Sequence, residues 1–271
     1  SIGIQSADDK ELIMLGRIHS FRDAVNTVEM ARRAGFDNLS VDIMSALPGQ
    51  TLEKYRENLQ KILSLNPEHI SAYSLILEEG TAFYDKYGPD GKLAATIPDE
   101  DTDRAMYSLT KEMLKEAGYE RYEISNYSKP GYESRHNSSY WIGTEYIGFG
   151  LGASSLINNR RYANTDSHEI YRNYSCQRVE SRADISTKCR ILEETLEKDG
   201  LMSEFMILGL RMTKGISGAE FREKFGIDIQ TKYGIEIDKL ISEGILEIKE
   251  DRIALTEFGL DVSNYAFEKF I

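Results

Sequence analysis

Alternation of apolar and polar residues with a period of two marks three short segments in the first eighty residues as strands. From Leu39 to Ser45, Leu39, Val41 and Ile43 fall on one face and Ser40, Asp42 and Met44 on the other, as in a strand that packs one side against helices. Ile2 and Ile4 against Gly3 and Gln5 repeat the arrangement, and a third run spans about Ile70 to Leu77. Between these segments the period lengthens. Phe21, Ala24, Val25, Val28 and Ala31 line one side of a helix that Ser20 caps and Gly35 ends, and Leu52, Tyr55, Leu59, Ile62 and Leu63 do the same from about Thr51 to Leu65. Strand, helix, strand, helix, strand predicts parallel strands joined by right-handed crossovers. One face of that sheet lies under the helices, and Gln5, Asp42, Ser71 and Tyr73 face a barrel or cleft interior. Three strands do not close a barrel, and a chain whose first six residues already read as a strand is expected to have more strands upstream.

Pro89-Asp-Gly91 and Pro98-Asp-Glu-Asp form a polar link into a helix predicted over about 101–117, followed by a strand-like Tyr119 to Ser125. A Pro130-Gly131 turn precedes Arg135-His136-Asn137-Ser138-Ser139-Tyr140-Trp141, and a glycine-rich Gly148 to Ala153 comes next. Beyond about Glu197 the spacing predicts helices near 202–211, 217–224 and 229–243, two short strands at Leu246 to Lys249 and Ile253 to Leu255, and a last helix after Thr256-Glu-Phe-Gly. Helices followed by a small β-ribbon suggest a winged-helix-like module. The reading is thus an α/β chain in three regions: strands and helices over 1–95, an associated region over 96–196, and a small terminal domain over 197–271.

Charge narrows the partners. The 271 residues carry a formal net charge of -12 at pH 7, which disfavours nucleic acid as the main partner because clustered Lys and Arg supply that affinity. Residues 195–271 hold fifteen acidic against ten basic residues and no basic stripe on the candidate recognition helices, so the winged-helix-like module is not expected to bind DNA. No apolar run approaches the ~18 residues a membrane span needs, and the chain reads as cytoplasmic. Two cysteines, Cys176 and Cys189, are too few for a disulfide framework and too far apart for a metal knuckle.

His136 beside Tyr140 and Trp141, the chain's only tryptophan, offers a neutral nitrogen to a metal and flat apolar surface to a macrocycle. The same residues also suit a hydrogen-bonded core histidine among packed aromatics. Gly148-x-Gly150-x-Gly152 lacks the spacing of a dinucleotide fingerprint, and Asn158 to Asn164 reads as turn-like rather than as a helix that could face a pyrophosphate. Tight backbone packing is the expected role of these glycines.

Taken in order, Gly3-Ile-Gln5-Ser, Leu15-Gly-Arg17-Ile-His19, Val41-Asp42 through Pro48-Gly-Gln50-Thr51, Leu65-Asn-Pro67, Glu78-x-Gly80-Thr81 and Tyr127 through His136-Asn137-x-x-Tyr140-Trp141 resemble the oxygen-independent coproporphyrinogen III oxidase group of radical S-adenosylmethionine (SAM) proteins. The His-Asn-x-x-Tyr-Trp element resembles its HemW-type haem chaperones. The resemblance covers essentially the whole chain. It implies the C-terminal part of a partial (β/α)6 barrel, a [4Fe–4S] cluster on a Cys-x3-Cys-x2-Cys loop, and SAM across the barrel mouth. By motif position Gln5, Arg17 and Asp42 match residues around SAM, with Ile76 a backbone or apolar neighbour. Arg17 suits the methionine carboxylate, and inward-pointing Gln5 and Asp42 suit ribose or amino groups; each also suits an ordinary capping or salt-bridge role. The three-cysteine loop is absent from these residues, so the cluster belongs to the complete protein and no radical chemistry is expected of this chain alone. Ser154 stands where relatives often carry His. The resemblance shifts His136 toward an axial haem-iron ligand, with Tyr140 and Trp141 walling the haem pocket. The implied function is haem binding and delivery to an unidentified acceptor, the alternative being oxidative decarboxylation of coproporphyrinogen III. A homodimer is expected from the unclosed barrel edge.

Overall fold

The computed structural model describes residues 1–174 and 188–271; Cys176 lies outside them. Two compact units divide the chain, Ser1–Ser134 and Arg135–Ile271. The boundary cuts through the region read from the sequence as 96–196, because the strands after its first helix join the first sheet.

The first unit runs β1 (Ile2–Gln5), α1 (Asp9–Met14), α2 (Phe21–Arg33), β2 (Ser40–Ser45), α3 (Leu52–Ser64), β3 (His69–Ser74), α4 (Ala82–Tyr87), α5 (Glu100–Glu116), β4 (Glu120–Arg121) and β5 (Asn126–Ser128). The sheet order is β1-β2-β3-β5-β4. β1, β2 and β3 are parallel and β5 is antiparallel to β3. Of the predicted strand over Tyr119 to Ser125 only Glu120–Arg121 belongs to β4; the chain then turns, and β5 pairs back on it, Glu120 with Ser128 and Arg121 with Tyr127. Ser20 and Asp23 form a reciprocal capping box that starts α2, and Thr51 caps α3. Val41, Ile43, Ile70 and Tyr127 turn to the helical side and join Tyr55, Leu59, Ile62 and Met106 in one buried core. The parallel strands thus hide one face, as their alternation predicts, and leave the other polar.

Two buried polar clusters fix the rims of this sheet. At the end of β1, Glu11 accepts from Ser6 Oγ, from Asn58 Nδ2 at 2.9 Å and from Gln50 Nε2 at 3.0 Å, so a buried carboxylate ties the β1 loop to α3. At the start of β3, His69 is 4% exposed; its Nδ1 lies 2.8 Å from Ser40 Oγ and its Nε2 2.8 Å from Tyr122 Oη. Burial pushes the imidazole down to about 4. The unfolded chain, with its ordinary histidine, binds more protons between that value and ~6.5, so this contribution to stability is complete above ~6.5 and is lost as pH falls toward 4. Urea denaturation of the wild type and of His69→Asn should show the gap between them narrowing by about 3 kcal/mol from pH 7 to pH 4. A gap that does not change with pH removes His69 as the source of acid sensitivity.

The second unit contains α6 (Arg135–Trp141), β6 (Ser154–Ile157), β7 (Arg160–Asn164), α7 (His168–Tyr174), β8 (Arg190–Thr195), α8 (Lys198–Gly209), β9 (Ile216–Ser217), α9 (Gly218–Phe225), α10 (Ile229–Ser242), β10 (Leu246–Lys249), β11 (Arg252–Leu255), α11 (Glu257–Asp261) and α12 (Ser263–Phe267). Two antiparallel sheets, β6-β7-β8 and β10-β11-β9, are present. The turn-like reading of Asn158 to Asn164 holds only for its first two residues: Asn158 and Asn159 take φ of 50° and 59°, a hairpin turn between β6 and β7, and the rest is strand. In the glycine-rich run, a Cβ on Gly148 would stand 2.2 Å from the Ser154 carbonyl oxygen, whereas Gly150 and Gly152 serve by positive φ. Close packing explains the first of them and backbone conformation the other two.

Candidate functional site

The polar face of the first sheet gathers the residues singled out in the sequence. Along one row the register runs Gly3, Asp42, Ser71, Asn126 across β1, β2, β3 and β5, and directly opposed residues share a face. Gln5 leaves the regular strand: its φ is +70°, the β1–β2 pairing slips between Gly3 and Gln5, and its side chain folds back over Gly3. A Cβ on Gly3 would lie 2.7 Å from Gln5 Nε2 and 3.9 Å from Asp42 Oδ2. The bulge and the left-handed residue therefore aim Gln5 at the face that holds Asp42, and such strain collects at binding sites. Tyr73 Oη donates to Gln5 Oε1 at 3.0 Å.

Electrostatics join the same side chains. Burial raises the Asp42 carboxyl above its ordinary range, against a hydrogen bond from Ser71. The Tyr73 hydroxyl is pushed up by burial and by the Asp42 charge, with the Arg17 charge opposing it; Arg17 itself is exposed, just after the turn that follows α1. Ile76 follows the end of β3 and is 79% exposed. This is a wall of acceptors and donors with one cation at its rim, able to hold a hydroxyl- and amine-bearing ligand with a carboxylate end.

Gly3→Ala tests the cradle. The clash falls on the far end of a flexible side chain, so the fold should survive with a melting temperature within about 3 °C of wild type, corresponding to about 1 kcal/mol or less. If this face holds the adenosyl ligand that the sequence resemblance implies, affinity for S-adenosylhomocysteine should fall about tenfold as Gln5 is displaced. Unchanged affinity in calorimetric titration would count against Gln5 as a ligand contact.

In the second unit, His136 and Tyr140 lie one turn apart on α6. Tyr140 Oη is 3.2 Å from His136 Nε2, and their rings meet edge-on at 5.0 Å. Tyr140 meets Tyr146 edge-on at 4.8 Å. His136 is exposed, which fits a histidine offered to a ligand better than one buried in a core. Trp141, five residues from His136, turns toward α8: the Arg211 guanidinium lies 4.2 Å from its ring centroid. It lines a cavity of about 90 Å³ with Leu201, Phe205, Leu208 and Met212. Its contacts are thus those of an anchor for α6, on a different side from the His136–Tyr140 edge. Ser154, where relatives often carry His, is exposed at the start of β6.

The arrangement can be set beside known proteins. Residues 1–62 match the radical SAM superfamily and residues 196–262 the HemN C-terminal domain. Heme chaperone HemW of Lactococcus lactis is 35% identical over all of this chain and 68% of its own length, and that of Bacillus subtilis 34% identical over all of this chain and 69% of its own. The chain belongs to the HemW family of radical SAM proteins. It spans about two thirds of those HemW relatives. The structure of coproporphyrinogen III oxidase (HemN) from Escherichia coli superposes over 99% of this chain and 62% of its own with a TM-score of 0.77 at 19% identity, which shows a shared fold: a radical SAM sheet, here without a closed barrel, and a HemN-type C-terminal domain.

Radical SAM membership brings SAM and a [4Fe–4S] cluster as the family's cofactors. The polar face suits the first: Gly3 leaves the room that Gln5 occupies, and Asn126 Oδ1 is a buried acceptor that no donor among the described residues reaches. The cluster is not matched by these residues, since the sequence has two cysteines and no three-cysteine loop. Two features of the site escaped the sequence. Arg211 carried no signal, because its stacking on Trp141 exists only through the packing of α6 on α8. Asn126 lies one residue beyond the strand that the sequence predicts, in β5, whose pairing with β3 is not visible in the local pattern.

Proposed function

We propose that this chain binds haem and passes it to an acceptor protein, on a scaffold of radical SAM ancestry whose polar sheet face holds SAM. The observation that carries the reading is the exposed His136 imidazole, braced by Tyr140, in a chain that aligns along its whole length with proteins named heme chaperone. Metal-ligating histidines commonly donate their second ring N–H to an orienting partner. With Nε2–H given to Tyr140 Oη, Nδ1 would be the nitrogen left to hold the iron. Tyr140 and Tyr146 stand beside the macrocycle, and Trp141 secures α6 through Arg211. On the sheet face, Asp42 and Gln5 take the ribose or amino groups of SAM, Arg17 its carboxylate, and Ile76 supplies backbone or apolar contact. SAM supplies a radical precursor only where a cluster is present, so these residues bind and orient.

Oxidative decarboxylation of coproporphyrinogen III is the weaker reading, since the HemN likeness at 19% identity extends to fold alone. No described helix is long and apolar enough to cross a membrane, in keeping with a cytoplasmic carrier. Haem titration followed through the Soret band tests the main reading: one haem per chain with a ligand-shifted band is expected, and a band indistinguishable from free haem overturns it.

A further inference from the structure

The polar row on the first sheet does not end at Ser71. Opposite Ser71, across the antiparallel β3–β5 pair, stands Asn126, only 7% exposed. Its neighbour Tyr127 packs in the core on the far side, so alternation puts the Asn126 side chain on the face of Asp42. The amide orientation is fixed chemically. Its Nδ2 donates to Glu123 Oε1 at 2.5 Å, and the reverse orientation would set a carbonyl oxygen against a carboxylate. Ser125 N–H also donates to Glu123 Oε1, at 2.9 Å, holding that carboxylate in the turn. Asn126 Oδ1 is left buried with no donor among the described residues. A buried acceptor left unsatisfied is costly, and the row that also holds Asp42 is where such a cost has a use.

We propose that Asn126, positioned by Glu123, is a further contact of the adenosyl ligand, its Oδ1 accepting a hydrogen bond from an N–H or O–H of that ligand. The proposal rests on the reading that this face binds SAM. Strands stand about 4.8 Å apart, so Asn126 lies two strands from Asp42 and extends the row by about 10 Å along the sheet. The ligand is thereby gripped at two separated points, and a molecule lacking a donor at the second is rejected. Oδ1 is closed from solvent, so forming the contact requires a neighbouring side chain to move.

The test is calorimetric titration of the chain with S-adenosylhomocysteine, together with the melting temperature of each variant. Asn126→Asp sets two carboxyls against each other and should weaken binding about tenfold. Adding Glu123→Gln removes the repulsion between the two carboxyls; the new amide must turn so that its oxygen keeps the Ser125 N–H and its N–H faces the new carboxylate, and affinity should recover by about threefold or more. Asn126→Leu should remain weak in either background. Asp42→Asn reports separately on the SAM reading. If Asp42→Asn weakens binding while Asn126→Leu does not, Asn126 is no contact and the reading of the face stands. If the wild type does not bind, or Asp42→Asn is silent, the reading itself fails. A melting temperature that recovers in the double variant without recovery of affinity marks a purely structural pair and overturns the proposal. The same losses with 5′-deoxyadenosine place the donor on the nucleoside, whereas losses confined to S-adenosylhomocysteine place it on the amino acid part.

Discussion

Replacing His136 with alanine should abolish the ligand-shifted Soret band and weaken haem binding on the order of 100-fold. An axial imidazole contributes a coordinate bond that packing does not replace, and the nearest groups, Tyr140 and Tyr146, are edge-on aromatics that offer no neutral nitrogen. Tyr140→Phe is the informative companion. It keeps the ring beside the imidazole and removes only the oxygen 3.2 Å from Nε2, so haem should still be ligated, with affinity lower by about tenfold and a Soret position near wild type. Trp141 gives a third pattern. Because it stacks on Arg211 and lines the interior of the second unit, Trp141→Ala should lower thermal stability and affect haem only as α6 loosens. Equal Soret spectra in wild type and His136→Ala would remove His136 as the ligand and with it the proposed carrier role.

Gly215→Ala should be among the most damaging single changes in the Arg135–Ile271 unit. Gly215 takes φ of +66° where the chain enters β9, and a Cβ there would stand 2.1 Å from the Ile253 carbonyl oxygen and 2.7 Å from Ala254 Cβ. Both are parts of β11, the strand to which β9 is paired through Ile216 and Ile253, so no flexible side chain can yield. Arg252 clamps the same segment, donating to the Lys214 and Gly215 carbonyls at 2.9 and 2.8 Å. Left-handed strain of about 1 kcal/mol adds to an overpacking cost of 1–3 kcal/mol, about 3 kcal/mol together, which lowers the melting temperature of this unit by about 10 °C. Gly226 is the matched control, with φ of +70° and nothing within 4 Å of its would-be Cβ. Gly226→Ala should cost about 1 kcal/mol and about 3 °C. Scanning calorimetry that finds equal shifts for the two variants would refute the close approach of β9 and β11.

Much of the first unit was legible because its signals are local. The period of two in Leu39 to Ser45 fixes which side chains meet the helices, and Ser20 and Thr51 mark helix starts through caps that act within one turn. The placement of Asp42, Ser71 and Tyr73 on the polar face follows from that alternation. Gln5 shows the limit. Alternation put it inward, and it does face Asp42, but through a bulge and a positive φ that the sequence does not display. Short elements were missed for the converse reason: α1 and α4 span six residues each, too few for helical periodicity to stand out.

The sequence by itself determined the family, the parallel strand–helix order, and the residue types at each candidate site position, since these depend on the identity and spacing of neighbours along the chain. Only the tertiary structure decided which polar groups share a row. Asn126 reaches the face of Asp42 because a hairpin folds β5 back against β3, and Trp141 becomes an anchor because α6 meets Arg211 seventy residues away. Such pairings depend on register and packing between segments distant in sequence, for which no local pattern exists.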